Sequence, residues 1–260
     1  MKKYEFTGET KRVELWNRTA TLHRIKATVE FGFVKVGELG GWIEKEENLS
    51  HEGKAWVCDD AKVWGNAKVW GNAKVWGNAK VWGNAEVCDD AKVWGNAKVW
   101  GNAEVCDDAK VWGNAKVWGN AKVCGDAKVC GDAKVCGDAE VWGNAKVWGN
   151  AEVCDDAKVW GNAEVCDDAK VWGNAKVCGD AEVFLASHVL VMGSVGSRND
   201  FTTFFRDKDN EITVKCGCFL GKIDKFLEKV TQTHGNNKYA LVYRAAVEVA
   251  KLQIELTERK

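Results

Sequence analysis

The stretch AKVWGNAKVWGNAKVWGNAK, residues 61–80, repeats one six-residue unit without interruption. The unit continues from residue 55 to residue 180 as 21 hexads in a row. Each hexad reads Ala, Lys or Glu, Val, Trp or Cys, Gly or Asp, and Asn or Asp, with Trp56 as the one exception in the second position. Because a single hexad can bury almost nothing, this repeat predicts a solenoid in which neighbouring units supply the core.

Alternation along a strand assigns the positions of the hexad to two sides. Successive side chains in extended backbone point to opposite faces, so Ala and Val share one side while Lys or Glu and Trp or Cys share the other. Gly, Asn and Asp in the last two positions favour turns with positive φ. Each hexad therefore predicts one short strand and one corner, with Val and Ala inside and the Trp or Cys position outside.

The pattern resembles the hexapeptide repeat of left-handed parallel β-helices, in which a small residue follows an aliphatic one four positions later, as Ala67 follows Val63. The resemblance implies three hexads per coil, a left-handed turn and seven coils. It covers nearly the whole chain, and its most specific segments are 22–28, 31–57, 196–205, 216–226 and 233–235. These segments are similar to uncharacterised hexapeptide-repeat proteins of bacterial and prophage genomes, which usually carry Tyr in the Trp or Cys position. The resemblance implies a fold and no activity.

The sequence on either side of the hexads predicts two further domains. We expect an N-terminal β cap over 1–54, the β-helix over 55–198, and a small C-terminal ββαα domain over 199–260. In the cap, short strands are predicted at 4–8, 21–28 and 31–37, and Ile43 and Leu49 are predicted to begin the coils.

The C-terminal end of the repeat decays gradually. Val183, Val189 and Val195 keep the six-residue spacing, which predicts about one more coil. A hairpin is predicted around the polar turn at 207–210. Two amphipathic helices are predicted at 222–233 and 238–257, with Gly235 ending the first.

An 18-residue coil places every third hexad on the same face, and this spacing predicts two columns of Trp. Exposed rows of aromatic side chains form apolar patches that commonly meet a partner, although stacking that only joins the coils is the alternative interpretation. The candidate interaction surface comprises Trp64, Trp82, Trp100, Trp118, Trp76, Trp94 and Trp112.

The same spacing predicts a column of thiols at Cys88, Cys106 and Cys124. Carboxylates follow each of these Cys, and a cation would relieve their mutual repulsion. However, the hexads contain no His and lack the C-x₂-C spacing of zinc sites. We therefore expect free thiols, no metal and no cofactor.

The C-terminal segment contains the non-repetitive residues with chemical potential. "GSVGSRND" at 193–200 offers backbone donors beside an Arg, as in anion-binding nests, while Cys216 and Cys218 alternate onto the apolar face of a strand, where buried Cys behaves as a small apolar residue. The candidate ligand or partner site comprises Ser197, Arg198, Cys216, Cys218 and His234.

Composition excludes several classes of function. The net charge of the chain is −1, and the hexads hold 15 Lys against 5 Glu and 14 Asp, so we expect no nucleic-acid partner. No apolar run approaches the roughly 20 residues of a membrane span, and the first residues lack the apolar region of a secretion signal. These observations predict a cytoplasmic protein with no membrane partner.

The sequence favours a non-enzymatic scaffold that self-associates into a homo-oligomer or docks a protein partner. Two alternatives stay open. One is a phage-encoded binder that sequesters a host factor or small signalling molecule. The other is an acyltransferase-like enzyme, which is disfavoured because hexapeptide-repeat acyltransferases use a catalytic His and a projecting loop, whereas His51 and His188 only flank the uninterrupted hexads. No catalytic residue is assigned.

Overall fold

The computed structural model describes residues 2–15 and 18–256. It is a parallel β-solenoid of about eight coils, with about 18 residues per coil, followed by a small domain with an antiparallel four-strand sheet and two helices. The predicted solenoid of three hexads per coil is confirmed. The left hand of the coil stays a prediction.

The N-terminal segment closes the first end of the solenoid. Strands β1 (Tyr4–Glu14) and β2 (Thr19–Ala27) pair in antiparallel fashion, and β3 (Leu39–Ile43) follows β2 in the same sheet. Ile43 lies beside Val63 and Leu49 beside Val69 in parallel register, so both residues begin the coils as predicted. The strand predicted over 31–37 is absent from the described residues, because this segment forms only a tight turn closed by an isolated bridge.

Each hexad contributes a two-residue strand at its second and third positions, and residues 181–186 after the last hexad add one more strand of the same kind. The strands are β4 (Trp56–Val57), β5 (Lys62–Val63), β6 (Lys68–Val69), β7 (Lys74–Val75), β8 (Lys80–Val81), β9 (Glu86–Val87), β10 (Lys92–Val93), β11 (Lys98–Val99), β12 (Glu104–Val105), β13 (Lys110–Val111), β14 (Lys116–Val117), β15 (Lys122–Val123), β16 (Lys128–Val129), β17 (Lys134–Val135), β18 (Glu140–Val141), β19 (Lys146–Val147), β20 (Glu152–Val153), β21 (Lys158–Val159), β22 (Glu164–Val165), β23 (Lys170–Val171), β24 (Lys176–Val177) and β25 (Glu182–Val183). Every Val and Ala of the hexads is buried, so the core is a continuous column of small aliphatic side chains.

The strands form three faces. Face 1 contains β4, β7 and every third strand up to β25; face 2 continues β3 through β5 up to β23; and face 3 contains β6 up to β24. Pairing is in register, so each residue lies beside its equivalent 18 positions away, as Lys92 lies beside Lys74 and Lys110. Identical positions therefore form straight columns along the solenoid.

The corners are held by side chains as well as backbone. The fifth residue of the hexad has positive φ whether it is Gly or Asp. Asp107 Oδ2 accepts a hydrogen bond from the Gly125 backbone N–H one coil later, at 2.9 Å. In the sixth position, Asn amides donate along the column, as Asn102 does to Asn120 and Asn120 to Asp138. The Asp residues of the corners thus have a structural role beyond turn formation.

The C-terminal domain closes the second end. Its sheet contains β26 (Val189–Val195), β27 (Asp200–Arg206), β28 (Ile212–Cys216) and β29 (Phe219–Lys222), and its helices are α1 (Ile223–His234) and α2 (Lys238–Gln253). The coil expected to extend through Val189 and Val195 is wrong, because β26 pairs antiparallel with β27. The hairpin and both helices are confirmed, and Gly235 ends α1 with a φ of 56°. Helix α2 ends at Gln253, before the predicted end at 257, which lies outside the described residues.

Candidate functional site

The two predicted Trp stacks are present. Ring centroids lie 4.9–5.0 Å apart from Trp64 to Trp118, and 4.9 Å apart from Trp76 to Trp112, with planes within 4° of parallel. A further pair, Trp142 and Trp160 on face 3, stacks at 5.1 Å. Because residues 18 apart are in register, the fourth positions of the hexads superpose and the rings must stack.

Trp64 differs from the expected interaction surface, because it is only 4% exposed. The β1–β2 hairpin lies over this end of face 2, where Leu22 and Ala20 pack with Trp42 and Trp64. The apolar side of the hairpin thus covers the start of this stack. On face 1, Trp76, Trp94 and Trp112 are half-buried, and the first two line an open groove.

Columns of Lys accompany the Trp stacks, a feature that the sequence analysis missed. Five consecutive second positions are Lys on face 1, Lys74, Lys92, Lys110, Lys128 and Lys146. The same holds on face 2 for Lys62, Lys80, Lys98, Lys116 and Lys134. Carboxylates enter only toward the far end, where Lys146 pairs with Glu164 and Lys134 with Glu152, each at 2.7 Å.

The Lys and Trp columns of face 1 enclose a groove of about 560 Å³, lined by Phe33, Trp56, Cys58, Lys74, Trp76, Lys92, Trp94 and Lys110. The Lys74 ammonium lies 3.9 Å from the centre of the Phe33 ring, as in a cation–π contact. Within the described part of the chain, Lys92 and Lys110 have no carboxylate at ion-pair distance. The groove therefore combines indole faces with cations that lack a counter-charge.

Face 3 has the opposite charge in the same coils. Its hexads at 85–90, 103–108 and 121–126 carry seven carboxylates and one Lys. Glu86 and Glu104 are direct neighbours in their column, and Glu104 pairs with Lys122 at 3.3 Å. The hexads thus hold four more carboxylates than Lys in total, and their charge differs strongly from face to face.

The predicted thiol column lies within this acidic patch. Cys88 is buried, and Cys106 and Cys124 are half-buried. The Cys106 Sγ lies 3.9 Å from a carboxylate oxygen of Asp107. Hydrogen bonding with Cys106, then burial, raises the pKa of the Cys124 thiol far above its ordinary value. For Cys106, the Cys124 contact lowers the pKa, but hydrogen bonding with Cys88 and burial raise it to about 12.

Cys136 and Cys154 on face 2 are joined by a disulfide, with Cα atoms 4.6 Å apart. Free thiols were expected only for the Cys88 column, and this bond on face 2 was not predicted. Neighbouring coils bring equivalent residues to the separation that disulfides require. The successive Cys88, Cys106 and Cys124 of face 3, by contrast, are not bonded to one another.

The residues proposed as a C-terminal site converge on one pocket. Ser197, Arg198, Cys216, Cys218 and His234 all line a cavity of about 350 Å³ between the end of β26, the β28–β29 turn and α1. The other lining residues are Phe219, Phe226, Lys229, Val230, Thr233 and Tyr243. The pocket therefore has an apolar wall and a cationic rim.

Hydrogen bonds hold the polar residues of this pocket in place. Ser197 Oγ lies 3.4 Å from His234 Nε2. Thr202 Oγ1 donates to Cys216 Sγ at 3.3 Å, and the same sulfur lies 4.0 Å from the Tyr243 hydroxyl. Burial, followed by the nearby Cys216, raises the pKa of Tyr243. The Tyr243 hydroxyl thus stays protonated beside the Cys216 thiol.

The two His that flank the coils lie at opposite ends of the solenoid. His51 stacks on Tyr4, with ring centroids 4.3 Å apart, beneath the N-terminal cap. His188 is fully buried, and its Nδ1 accepts a hydrogen bond from the Phe184 backbone at 3.4 Å.

Among the residues that the structure describes, no helix is long and apolar enough to cross a membrane.

Comparison of the sequence with known proteins assigns this chain to no family. No protein-family model matches the chain, and neither does any curated protein. The regular parallel solenoid with about 18 residues per coil is consistent with a hexapeptide-repeat β-helix, and it is the fold alone that is established.

Proposed function

We propose that this protein is a non-catalytic scaffold that self-associates side by side, with face 1 of one copy against the acidic part of face 3 of a second copy. The observation that carries the proposal is the pair of opposite charge columns on two faces of the same coils. Lys74, Lys92 and Lys110 occupy face 1 where Glu86 and Glu104 occupy face 3.

The charged side chains of the two columns have the same spacing. On each face, successive charged residues lie one coil apart, because the strands pair in register. A Lys column therefore meets acidic positions with the same spacing over the two coils of Glu86 and Glu104, which Lys68 and Lys122 flank. Opposite charges arranged in this way favour encounter and fix the register of docking, more than they add affinity. The stacked Trp76 and Trp94 provide the apolar area that such an interface needs.

Face 1 is favoured over face 2 because it is open. The hairpin covers the first Trp of face 2, whereas the groove of face 1 starts beside Phe33 and continues along the Lys and Trp columns. A contact between two different faces is heterologous, so it produces closed rings or open arrays according to the rotation between neighbours.

Light scattering after size exclusion tests this association by charge exchange. At low ionic strength we expect a mass above one chain, and a return to the monomer mass at high salt, because exposed charges are screened. Two double variants should each be monomeric. One reverses the charge of face 1 through Lys92→Glu and Lys110→Glu, and the other reverses that of face 3 through Glu86→Lys and Glu104→Lys. Mixing the two variants should restore assembly.

The matched control is Lys98→Glu with Lys116→Glu, which makes the same change on face 2 and should leave the mass unchanged. Trp94→Ala should weaken assembly more than Trp100→Ala for the same reason. A wild-type chain that stays monomeric at low salt, or equal effects from both faces, would contradict the proposal.

The C-terminal pocket favours a second candidate function, the capture of a small anionic molecule with an apolar body. Arg198 and Lys229 supply positive charge at the rim, and Phe219 and Phe226 supply the apolar wall. Pockets of this kind, with a few convergent polar groups on an apolar surface, are typical ligand sites.

Calorimetric titration with nucleotides, acyl-CoA and aromatic carboxylates tests this second function. A ligand of the pocket should lose affinity in Arg198→Ala and keep it in Lys225→Ala, which removes an exposed cation of α1 outside the pocket. Binding that both variants retain equally would place the ligand elsewhere, and no binding by any member of the three classes would remove this candidate.

A further inference from the structure

The thiol column of face 3 brings two sets of potential metal ligands together. The ligand atoms of Cys88, Glu104 and Cys106 all lie within 4.8 Å of one another, and so do those of Cys106, Asp107 and Cys124. Among the described residues, no other group of three His, Cys, Asp or Glu side chains is this close. Cys106 belongs to both sets.

We propose that Cys106 is the shared ligand of a site for one thiophilic divalent cation of the Zn²⁺ or Cd²⁺ type, completed by Cys88 and Glu104 or by Cys124 and Asp107. This inference does not rest on the proposed self-association, although Glu104 belongs to both sites, and bound Cd²⁺ rather than particle mass is what its test measures. It departs from the expectation of no metal, which rested on the lack of His and of C-x₂-C spacing in the hexads, whereas here the ligands come from successive coils.

The distances suit such an ion. Zinc binds thiolate sulfur at about 2.3 Å and carboxylate oxygen at about 2.0–2.2 Å, so tetrahedral ligands lie roughly 3.5–3.8 Å apart. Ligand atoms within 4.8 Å of one another reach this geometry through movements of about 1 Å at side-chain tips. The backbone needs no change, since the strands on both sides of Cys106 keep their parallel register.

One ligand is already oriented by the fold. The Asp107 carboxylate accepts a hydrogen bond from the Gly125 backbone at 2.9 Å and lies 3.9 Å from the Cys106 sulfur. Hydrogen bonds of this kind orient metal-ligating carboxylates in known sites. Glu104 is directed along the same column by Lys122.

Local charge also favours a cation here. The three hexads that contain the thiols hold seven carboxylates against one Lys, and the adjacent Glu86 and Glu104 repel each other. Binding of a divalent ion breaks the S–H bonds of two thiols, forms two metal–sulfur bonds and releases two protons to solvent. No oxidant or reductant is needed.

Titration of the reduced full-length protein with Cd²⁺, followed by the thiolate-to-cadmium charge-transfer absorbance in the near ultraviolet, tests the site. All samples carry Cys136→Ser and Cys154→Ser, so that the disulfide contributes no thiols. We expect Cys106→Ser to bind one Cd²⁺ fewer than this parent. Cys130→Ser should bind as many as the parent, because Trp112 and Trp148 adjoin Cys130 in its column.

The carboxylates provide a second, independent readout. Glu104→Gln combined with Asp107→Asn keeps every thiol and should weaken Cd²⁺ binding by at least about tenfold. Unfolding of each variant without metal shows that the fold is retained. Equal numbers of bound Cd²⁺ in the parent and in Cys106→Ser would overturn the proposal, as would an affinity unchanged by loss of both carboxylates.

Discussion

Trp82 and Trp100 stack face to face across one coil, with ring centroids 4.9 Å apart and planes 1° from parallel. Trp100 also stacks on Trp118, whereas the next position after Trp118 is Cys136, so Trp118 has one stacked neighbour. Aromatic pairs contribute about 0.5–1.5 kcal/mol each beyond burial. We expect Trp100→Ala to lower the free energy of unfolding by one such contact more than Trp118→Ala.

Chemical denaturation of the two variants measures this difference. Trp172→Ala serves as a reference, because Trp172 is 45% exposed and its column neighbour is Cys154. Equal losses for all three variants would show that stacking adds nothing beyond the burial of single rings.

The loss of stability on replacing a corner Gly by Ala should depend on how closely the next corner approaches. Gly119 has a φ of 77°, and a Cβ there would lie 2.9 Å from the Gly137 carbonyl oxygen, whereas a Cβ on Gly173, with a φ of 62°, meets nothing within 4 Å. A left-handed conformation costs an Ala roughly 1–2 kcal/mol at either position. Thermal unfolding should therefore show a larger loss for Gly119→Ala than for Gly173→Ala, and the reverse order would contradict the close approach of successive corners.

Acid should loosen the C-terminal end of the solenoid through His188. Burial, reinforced by Arg206, lowers the pKa of His188 from 6.5 to about 4. The unfolded chain therefore binds a proton that the folded chain does not, and stability is lost as pH falls from about 6.5 to 4. Unfolding measured across this range should show a smaller pH dependence in His188→Gln. An identical slope in both proteins would exclude His188 as the source.

Alkaline conditions should destabilise the coils through their buried and half-buried thiols. Burial raises the pKa of Cys178 from 9.0 to about 11 and, with Asp59 adding to the effect, that of Cys58 to about 12. A raised folded pKa gives stability that is complete below pH 9 and is lost as pH rises toward these values. Urea midpoints between pH 8.5 and 11 should fall less steeply for Cys178→Ala than for the wild type.

Reduction of the Cys136–Cys154 disulfide should also lower stability. The bond closes a loop with a sequence separation of 18 residues, for which chain entropy predicts about 3 kcal/mol. A phosphine reductant should lower the unfolding temperature of the wild type. It should not change the unfolding temperature of the double variant with Cys136→Ser and Cys154→Ser. A reductant shift of the same size in both proteins would assign the effect to something other than this bond.

The solenoid could be predicted from sequence because each level of its structure repeats one local pattern. The buried Val63 and Ala67 show which hexad positions face the core, and the 18-residue spacing then places Trp82 beside Trp100. The ends do not share this regularity. Val189 and Val195 keep the hexad spacing, but strand pairing with β27 decides their conformation.

The candidate surfaces were predicted only in part, for two physical reasons. Net charge averages over faces, so the Lys column through Lys92 and the acidic neighbours Glu86 and Glu104 cancelled in the count. Burial of Trp64 depends on the hairpin, whose docking no local pattern encodes. By contrast, the C-terminal pocket was found from residue chemistry alone, because Arg198 and His234 stood in the non-repetitive part of the chain.

Because one coil contains three hexads, the number of hexads that precede a residue decides which of the three faces that residue joins. A gain or loss of three hexads changes only its length, since every later side chain stays in its column. Loss of one hexad, such as 97–102, would leave the Val core continuous but would place Trp112 after Cys88 and Cys106 after Trp82. Changes of copy number in the encoding DNA can thus rewrite the whole outer surface downstream of one point without a single core substitution.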